Sequence, residues 1–482
     1  MSIGVLHGQN GGGIKLPFRV VGGTTQPSNP KDGDIWVKTS VPIMRTEFAN
    51  GTWASGGVGL VFLAGTLGGS NPTGTNTTVW AINKNTGTDK YILKITLTGC
   101  KQVQGSKGNW VNLDAYRYYG GKWVQFSRAV KIYGISRNIT ATSPAWTRED
   151  DAVGMTATAS VGTTAGASSF DSCYPWSGIQ RETLSTGDVM VKIPKFWFQR
   201  YREGNAEYIK IADKAATGFT LHPAFKHGGV ECDHIYVGAY KTSSNNKSVT
   251  GASPTVSQTR STFRTNAKAK GTGWSLIDIA AVSAIQMLIL VEFANNNVQS
   301  VIGRGYCDKT SSGARINTGS CDTVSGLTGR PSGTDGLVDV VWRGIEGFWG
   351  NIWELTDGVN WNDGKYYVCN DPSKYADDTL SNYIELSYTG ATKWYVSYIT
   401  EEGLDTGNNP HVIVPKAAGS GSESTYECDA CWSSTGWRVF RHGGPWSDGS
   451  RCGLFAVSLA DGSSDSAANV GSRLLYIPPT EV

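Results

Sequence analysis

From Val58 to Lys131 apolar and polar residues alternate in short runs, Lys90–Leu97 and Lys122–Ser127 among them, with Gly, Asn and Ser in the intervals. A period of two interrupted by turn residues is the pattern of antiparallel sheet, so residues 56–136 are expected to form a small antiparallel β domain. Gly-x-Trp recurs there at Gly108–Trp110 and Gly121–Trp123, too irregularly for a solenoid repeat. The first 55 residues are more broken. A strand signal at Asp34–Thr39 follows Pro27 and Pro30, and Asn50-Gly51 marks a hairpin before Trp53, so 1–55 reads as a separate attachment segment. Beyond Tyr133, Val189–Phe198 and His234–Lys241 look like buried strands. One stretch carries a helical period: Ser257–Lys270 and Ser275–Ala294, divided by Gly271-Thr272-Gly273. Within it Ile277, Ala280, Ala281, Ala284, Ile285, Leu288 and Val291 fall on one face. Residues 298–482 return to short strands and long loops. The expected fold class is α+β, a small N-terminal β region followed by a large loop-rich domain with two helices over 137–482.

Composition sharpens this picture. With 61 glycines in 482 residues the chain is rich in turns, and 17 Trp, 20 Tyr and 14 Phe supply far more core than a disordered chain has. Residues 1–136 hold 14 Lys and Arg against 5 Asp and Glu, but singly, without the basic runs that a nucleic-acid surface requires. No nucleic-acid partner is expected. Nine irregularly spaced cysteines, from Cys100 to Cys452, do not make a disulfide framework, and MSIGVLHGQNGG has no signal-peptide pattern. Both fit synthesis in a reducing cytoplasm. The apolar stretch Leu276–Phe293 is interrupted by Asp278, Ser283, Gln286 and Glu292, which argues for a core helix and against membrane insertion.

Motifs for catalysis are weak. Cys428-Asp429-Ala430-Cys431 has redox or zinc spacing but no second pair, and the six histidines form no local ligand set. Asp150/Asp151 and Asp377/Asp378 read as solvated loop charge, and Gly65–Gly69 does not join a strand to a helix as a phosphate loop does. No enzyme activity, metal or cofactor is expected.

Three strings appear in a fixed order: GFWGNIWELTDGVN at 347–360, GWRVFRHGGPW at 436–446 and SAANVGSRL at 466–474. Together they resemble the C-type-lectin-like fold in its formylglycine-generating-enzyme and sulfatase-modifying-factor form, in which GN-x-W-E, R-GG-x-W and N-x-G-x-R follow one another. The nearest likeness within it is to phage tail and receptor-binding proteins, including the variable proteins of diversity-generating retroelements. Segments 22–39 and 110–127 resemble an N-terminal region of phage structural proteins, and 132–138, 174–181 and 218–225 are similar to the same group. The oxidising members carry a copper-binding Cys pair after the R-GG-x-W segment; here Ser447 and Cys452 stand at those positions, and one thiolate cannot make that site. The EPN and WND signatures of calcium-dependent sugar sites are absent from the sequence.

The resemblance implies a virion protein of the tail tip, fibre or baseplate that recognises a host cell-surface protein or glycan. The display region would span about 426–475, and the N-terminal region would meet other virion proteins. It also implies a homo-oligomer, a trimer by analogy with tail fibres. The expected contact residues are Ala430, Cys431, Trp432, His442, Pro445, Trp446, Ser447, Asp448, Ser450, Arg451 and Cys452, a mixture of aromatic anchors and adaptable polar groups. Trp349, Trp353, Trp437 and Phe440 would form the frame, with Gly443-Gly444 as a tight turn. The alternative is a structural virion protein of head, neck or tail assembly whose lectin-like domain makes subunit contacts.

Overall fold

A computed structural model describes residues 130–479 apart from 311–314 and 393–396; before residue 130 it describes the backbone of the strands and little else. The chain divides into two units, Met1–Lys131 and Ile132–Val482. The division falls a few residues before the expected boundary at 136, because Ile132–Asn138 pairs along its whole length with Ala206–Ala212. Nor does residue 55 separate two bodies. Ile35–Lys38 lies between Val20–Gly23 and Ala115–Tyr119 in one four-stranded sheet that Lys122–Ser127 completes. A five-stranded antiparallel meander runs from Gly59–Ala64 to Trp110–Val111, with Lys90–Thr96 as its third strand. Phe48–Ala49 pairs antiparallel with Thr52–Trp53, and the turn expected at Asn50-Gly51 lies outside the described residues.

The second unit is strand-rich with few helices. Three sheets organise it. The first runs Thr147–Asp150, Ile132–Asn138, Ala206–Ala212, Trp197–Glu203, Thr220–Leu221. The second runs Gln180–Thr183, Val189–Pro194, His234–Gly238, Leu474–Tyr476, Trp274–Leu276, so the C-terminal strand returns to pair with residues some 240 positions earlier. The third has nine strands and is built around Trp353–Asn362 and Trp437–His442.

Helix α1 spans Arg260–Lys268, shorter than Ser257–Lys270, because Thr259 caps it with its side chain. Helix α2 spans Ile279–Phe293, and Asp278 begins it by accepting the Ala281 amide at 2.8 Å. Residues 275 and 276, expected in its first turn, instead belong to the strand Trp274–Leu276, which pairs with Leu474–Tyr476. All fifteen residues of α2 are buried, not one face alone. It runs against strands of the first and third sheets, so its polar Gln286 and Glu292 find partners inside: Gln286 donates to the Leu454 carbonyl, and Glu292 holds Arg343 and Trp342. Val189–Phe198 is not one strand. It breaks at Pro194 into Val189–Pro194 and Trp197–Glu203, which enter different sheets.

Candidate recognition surface

The three ordered strings meet in space. Trp353 donates its amide to the Asn469 carbonyl at 2.9 Å, Trp446 donates to Asn351 at 2.9 Å, and Gly350 donates to Gly443 at 3.2 Å. Their charged residues join in the interior. Arg473, fully buried, contacts both oxygens of Glu354 at 2.9 and 2.7 Å and also donates to the Gly238 and Glu346 carbonyls at 2.7 Å. Lys241 reaches the same carboxylate at 2.7 Å. Burial alone would raise the Glu354 pKa, but Arg473 and Lys241 outweigh it and hold the carboxyl down at about 2. The Gly443-Gly444 turn is sterically required: both have φ near +90°, and a Cβ on Gly443 would stand 2.7 Å from the Phe348 carbonyl oxygen.

This frame seals much of the expected contact surface. Ala430 (0% exposed), Cys431 (4%), His442 (1%), Trp446 (6%) and Cys452 (0%) are interior, and Pro445 is buried with them. Trp446 packs on Tyr306 and Ile352, which makes it a core residue where an anchor was expected. His442 lies 4.8 Å from the Phe348 ring, its Nδ1 is 2.9 Å from the Thr356 hydroxyl, and burial lowers its pKa to about 4. The Cys452 thiol donates to the Pro445 carbonyl at 3.1 Å, and burial pushes its pKa up, so it is a poor source of thiolate. Five positions keep access to solvent: Ser447 is exposed, while Trp432, Asp448, Ser450 and Arg451 are half-buried. Asp448 titrates above the usual carboxylate range because it is partly desolvated.

The nine-stranded sheet brings four of the relevant side chains to one face. Trp432 pairs with Ser458, and Ser458 with Arg441, so the three form one row across adjacent strands. One step along, Tyr398 pairs with Ala430, two residues before Trp432 and hence on the same face. The Tyr398 hydroxyl stands 3.1 Å from the Ser450 hydroxyl, which ties the loop at 447–451 to this face. Trp432 itself is braced edge-on against Trp353, with ring centroids 5.2 Å apart. Tyr398 and Arg441 were missed by sequence reasoning. Tyr398 has no local signal, and Arg441 was taken only as part of a motif. Arg441 is 4% exposed and pairs with Asp461 through Nη1, while its Nε and Nη2 have no hydrogen-bond partner; desolvation lowers its pKa.

No group of three or more His, Cys, Asp or Glu that could hold a metal occurs among the described residues. His222 and His411, far apart in sequence, do come together, with ring centroids 5.5 Å apart in a pocket of Phe196, Phe198 and Phe225. Cys428 and Cys431 are both buried.

No family model and no curated protein matches this sequence. Among solved structures it is similar to the Major Tropism Determinant I1 variant, at 12% identity over 79% of this chain and 81% of that one, with a TM-score of 0.26. The P3c variant gives 12% identity over 94% and 98%, with a TM-score of 0.23, and the U1 variant 14% over 94% and 98%, with 0.24. Scores of this size fix neither a shared fold nor a shared activity. No helix among the described residues is long and apolar enough to cross a membrane.

Proposed function

We propose that this chain is a bacteriophage virion protein whose second unit is a C-type-lectin-like domain that binds a protein or glycan on the host cell surface. The contact face is the one that carries Tyr398, Trp432, Asp448, Ser450 and Arg451. The observation that carries this reading is the setting of Trp432: a half-buried indole in a nine-stranded sheet, braced by Trp353 and in one row with Ser458 and Arg441. A rigid aromatic with adaptable polar neighbours is the composition of a binding hot spot. The meeting of the three ordered strings in one buried frame supports the lectin-like assignment. In this reading the first unit attaches to other virion proteins, the protein is a homo-oligomer in the particle, a trimer by the fibre analogy, and it is not an enzyme.

Adsorption of the purified protein to host cells tests this. Trp432→Ala with Arg451→Ala is expected to weaken binding by roughly 30-fold or more, the size of one hot spot above 2 kcal/mol. Trp432 also packs on Trp353, so thermal melts accompany the assay and adsorption is compared for folded protein alone. Equal adsorption by a fully folded variant would remove this face from recognition. Antibody labelling of intact particles then separates a distal, accessible position from one enclosed by neighbouring subunits.

A further inference from the structure

A concavity lies between the C-terminal part of α1 and the loop before it. It opens to solvent and has a volume of about 630 Å³, within the range of about 300–1,000 Å³ typical of small-molecule sites. Its walls are hydroxyls and amides, Thr242, Ser244, Asn245 and Gln258 among them, over an apolar floor at Phe263. Thr242 is 2% exposed, held by backbone bonds to Ser472 and Thr255, and its Oγ1 has no hydrogen-bond partner. A buried hydroxyl without a partner carries a desolvation cost that a ligand atom could relieve. Gln258 accepts from Asn266 through Oε1 at 3.2 Å and keeps its amide N–H groups unspent. Asn245 sits at φ 60° on the loop and is exposed.

The charge of the ligand follows from Lys270, the one ionic side chain in the lining. Its ammonium has three protons, and three acceptors stand within reach: Asp188 Oδ2 at 3.0 Å, Asp188 Oδ1 at 3.2 Å and the Asn246 carbonyl at 2.8 Å. Nothing is left over to hold an anion, and no carboxylate lines the space to hold a cation. What matches a ring of hydroxyls and amides is a neutral ligand whose polar groups both donate and accept, with an apolar face for Phe263. We propose that this cleft binds a neutral, hydroxyl-rich ligand, a sugar unit of an uncharged glycan. It uses none of the residues of the face described above, so either site can stand without the other.

Saturation-transfer NMR on the full chain with the methyl glycosides of glucose, galactose, mannose, N-acetylglucosamine and N-acetylgalactosamine reads this directly. At least one should receive saturation from the wild type at millimolar concentration. Thr242→Val, which keeps the shape and removes the hydroxyl, should weaken that glycoside by roughly tenfold, the worth of one hydrogen bond in a desolvated site. Ser244→Trp, at an exposed position on the rim, should abolish the signal, and Trp432→Ala should leave it intact. The proposal is overturned if none of the five glycosides is saturated, or if Ser244→Trp binds as the wild type does. Loss in Trp432→Ala with retention in Ser244→Trp would likewise overturn it, by moving the sugar to the other face.

Discussion

Replacing Arg473 by Leu removes the guanidinium that ties the three ordered strings together. The side chain is fully buried and makes five polar contacts, two of them charged bonds to Glu354. Its loss leaves the Gly238 and Glu346 carbonyls without that donor and Glu354 with Lys241 as its remaining close cation, at 2.7 Å. Breaking a buried ion pair from one side costs about 3–5 kcal/mol. Arg473 and Lys241 together depress the Glu354 pKa from 4.5 to about 2, so the folded state favours the ionised carboxyl. Against a total stability of about 5–15 kcal/mol, a loss of this size shifts the urea midpoint far outside error. Since the folded pKa lies below the unfolded one, this contribution is present above pH 4.5 and is lost as pH falls through about 2. Urea titrations at pH 7 and through the acid range should therefore show Arg473→Leu destabilised by about 3 kcal/mol or more at neutral pH, with a weaker acid dependence than the wild type. Glu354→Gln combined with Arg473→Leu should cost less than the two singles together, because each single leaves a buried partner stranded. A loss under about 1 kcal/mol, or strict additivity in the double variant, would refute the view that this pair clamps the frame.

Two further predictions concern the interior. His411 is fully buried, both its ring nitrogens lack partners, and burial with the nearby Arg200 charge lowers its pKa to about 3. The unfolded chain takes up a proton near pH 6.5 that the folded one refuses, so stability falls between pH 6.5 and 3 by up to about 1.4 kcal/mol per pH unit. His411→Leu should flatten that slope in urea titrations and hold or raise stability at pH 7; an unchanged slope would mean that this imidazole is not kept neutral by the fold. Gly443→Ala meets a positive φ and a carbonyl at 2.7 Å, whereas Gly436→Ala meets a positive φ with nothing within 4 Å. Thermal melts should show a penalty of about 1 kcal/mol for Gly436→Ala and a clearly larger one for Gly443→Ala, and equal penalties would contradict the clash.

What local sequence determines here is the set of elements whose causes lie within a few residues. Alternation places Lys90–Thr96 and Lys122–Ser127 in sheet because side chains on a strand alternate by face. The apolar stretch at Ile279–Phe293 is helical for similarly local reasons, with Asp278 as its cap. The glycine pair at 443–444 announced a close approach of backbone, and Phe348 supplies it.

Which residues reach solvent was decided by the tertiary structure alone. Trp446 and Trp432 are equally aromatic and both lie in polar, glycine-rich surroundings, yet one packs on Tyr306 and Ile352 while the other stands half open beside Trp353. The difference lies in packing partners up to 140 positions away, which no window of sequence contains. The same holds for the row that joins Trp432, Ser458 and Arg441, for Tyr398 beside Ser450, and for His222 beside His411. Periodicity states which face of an element a side chain shares with its neighbours; only the packing of nonlocal elements determines whether that face meets water or another sheet.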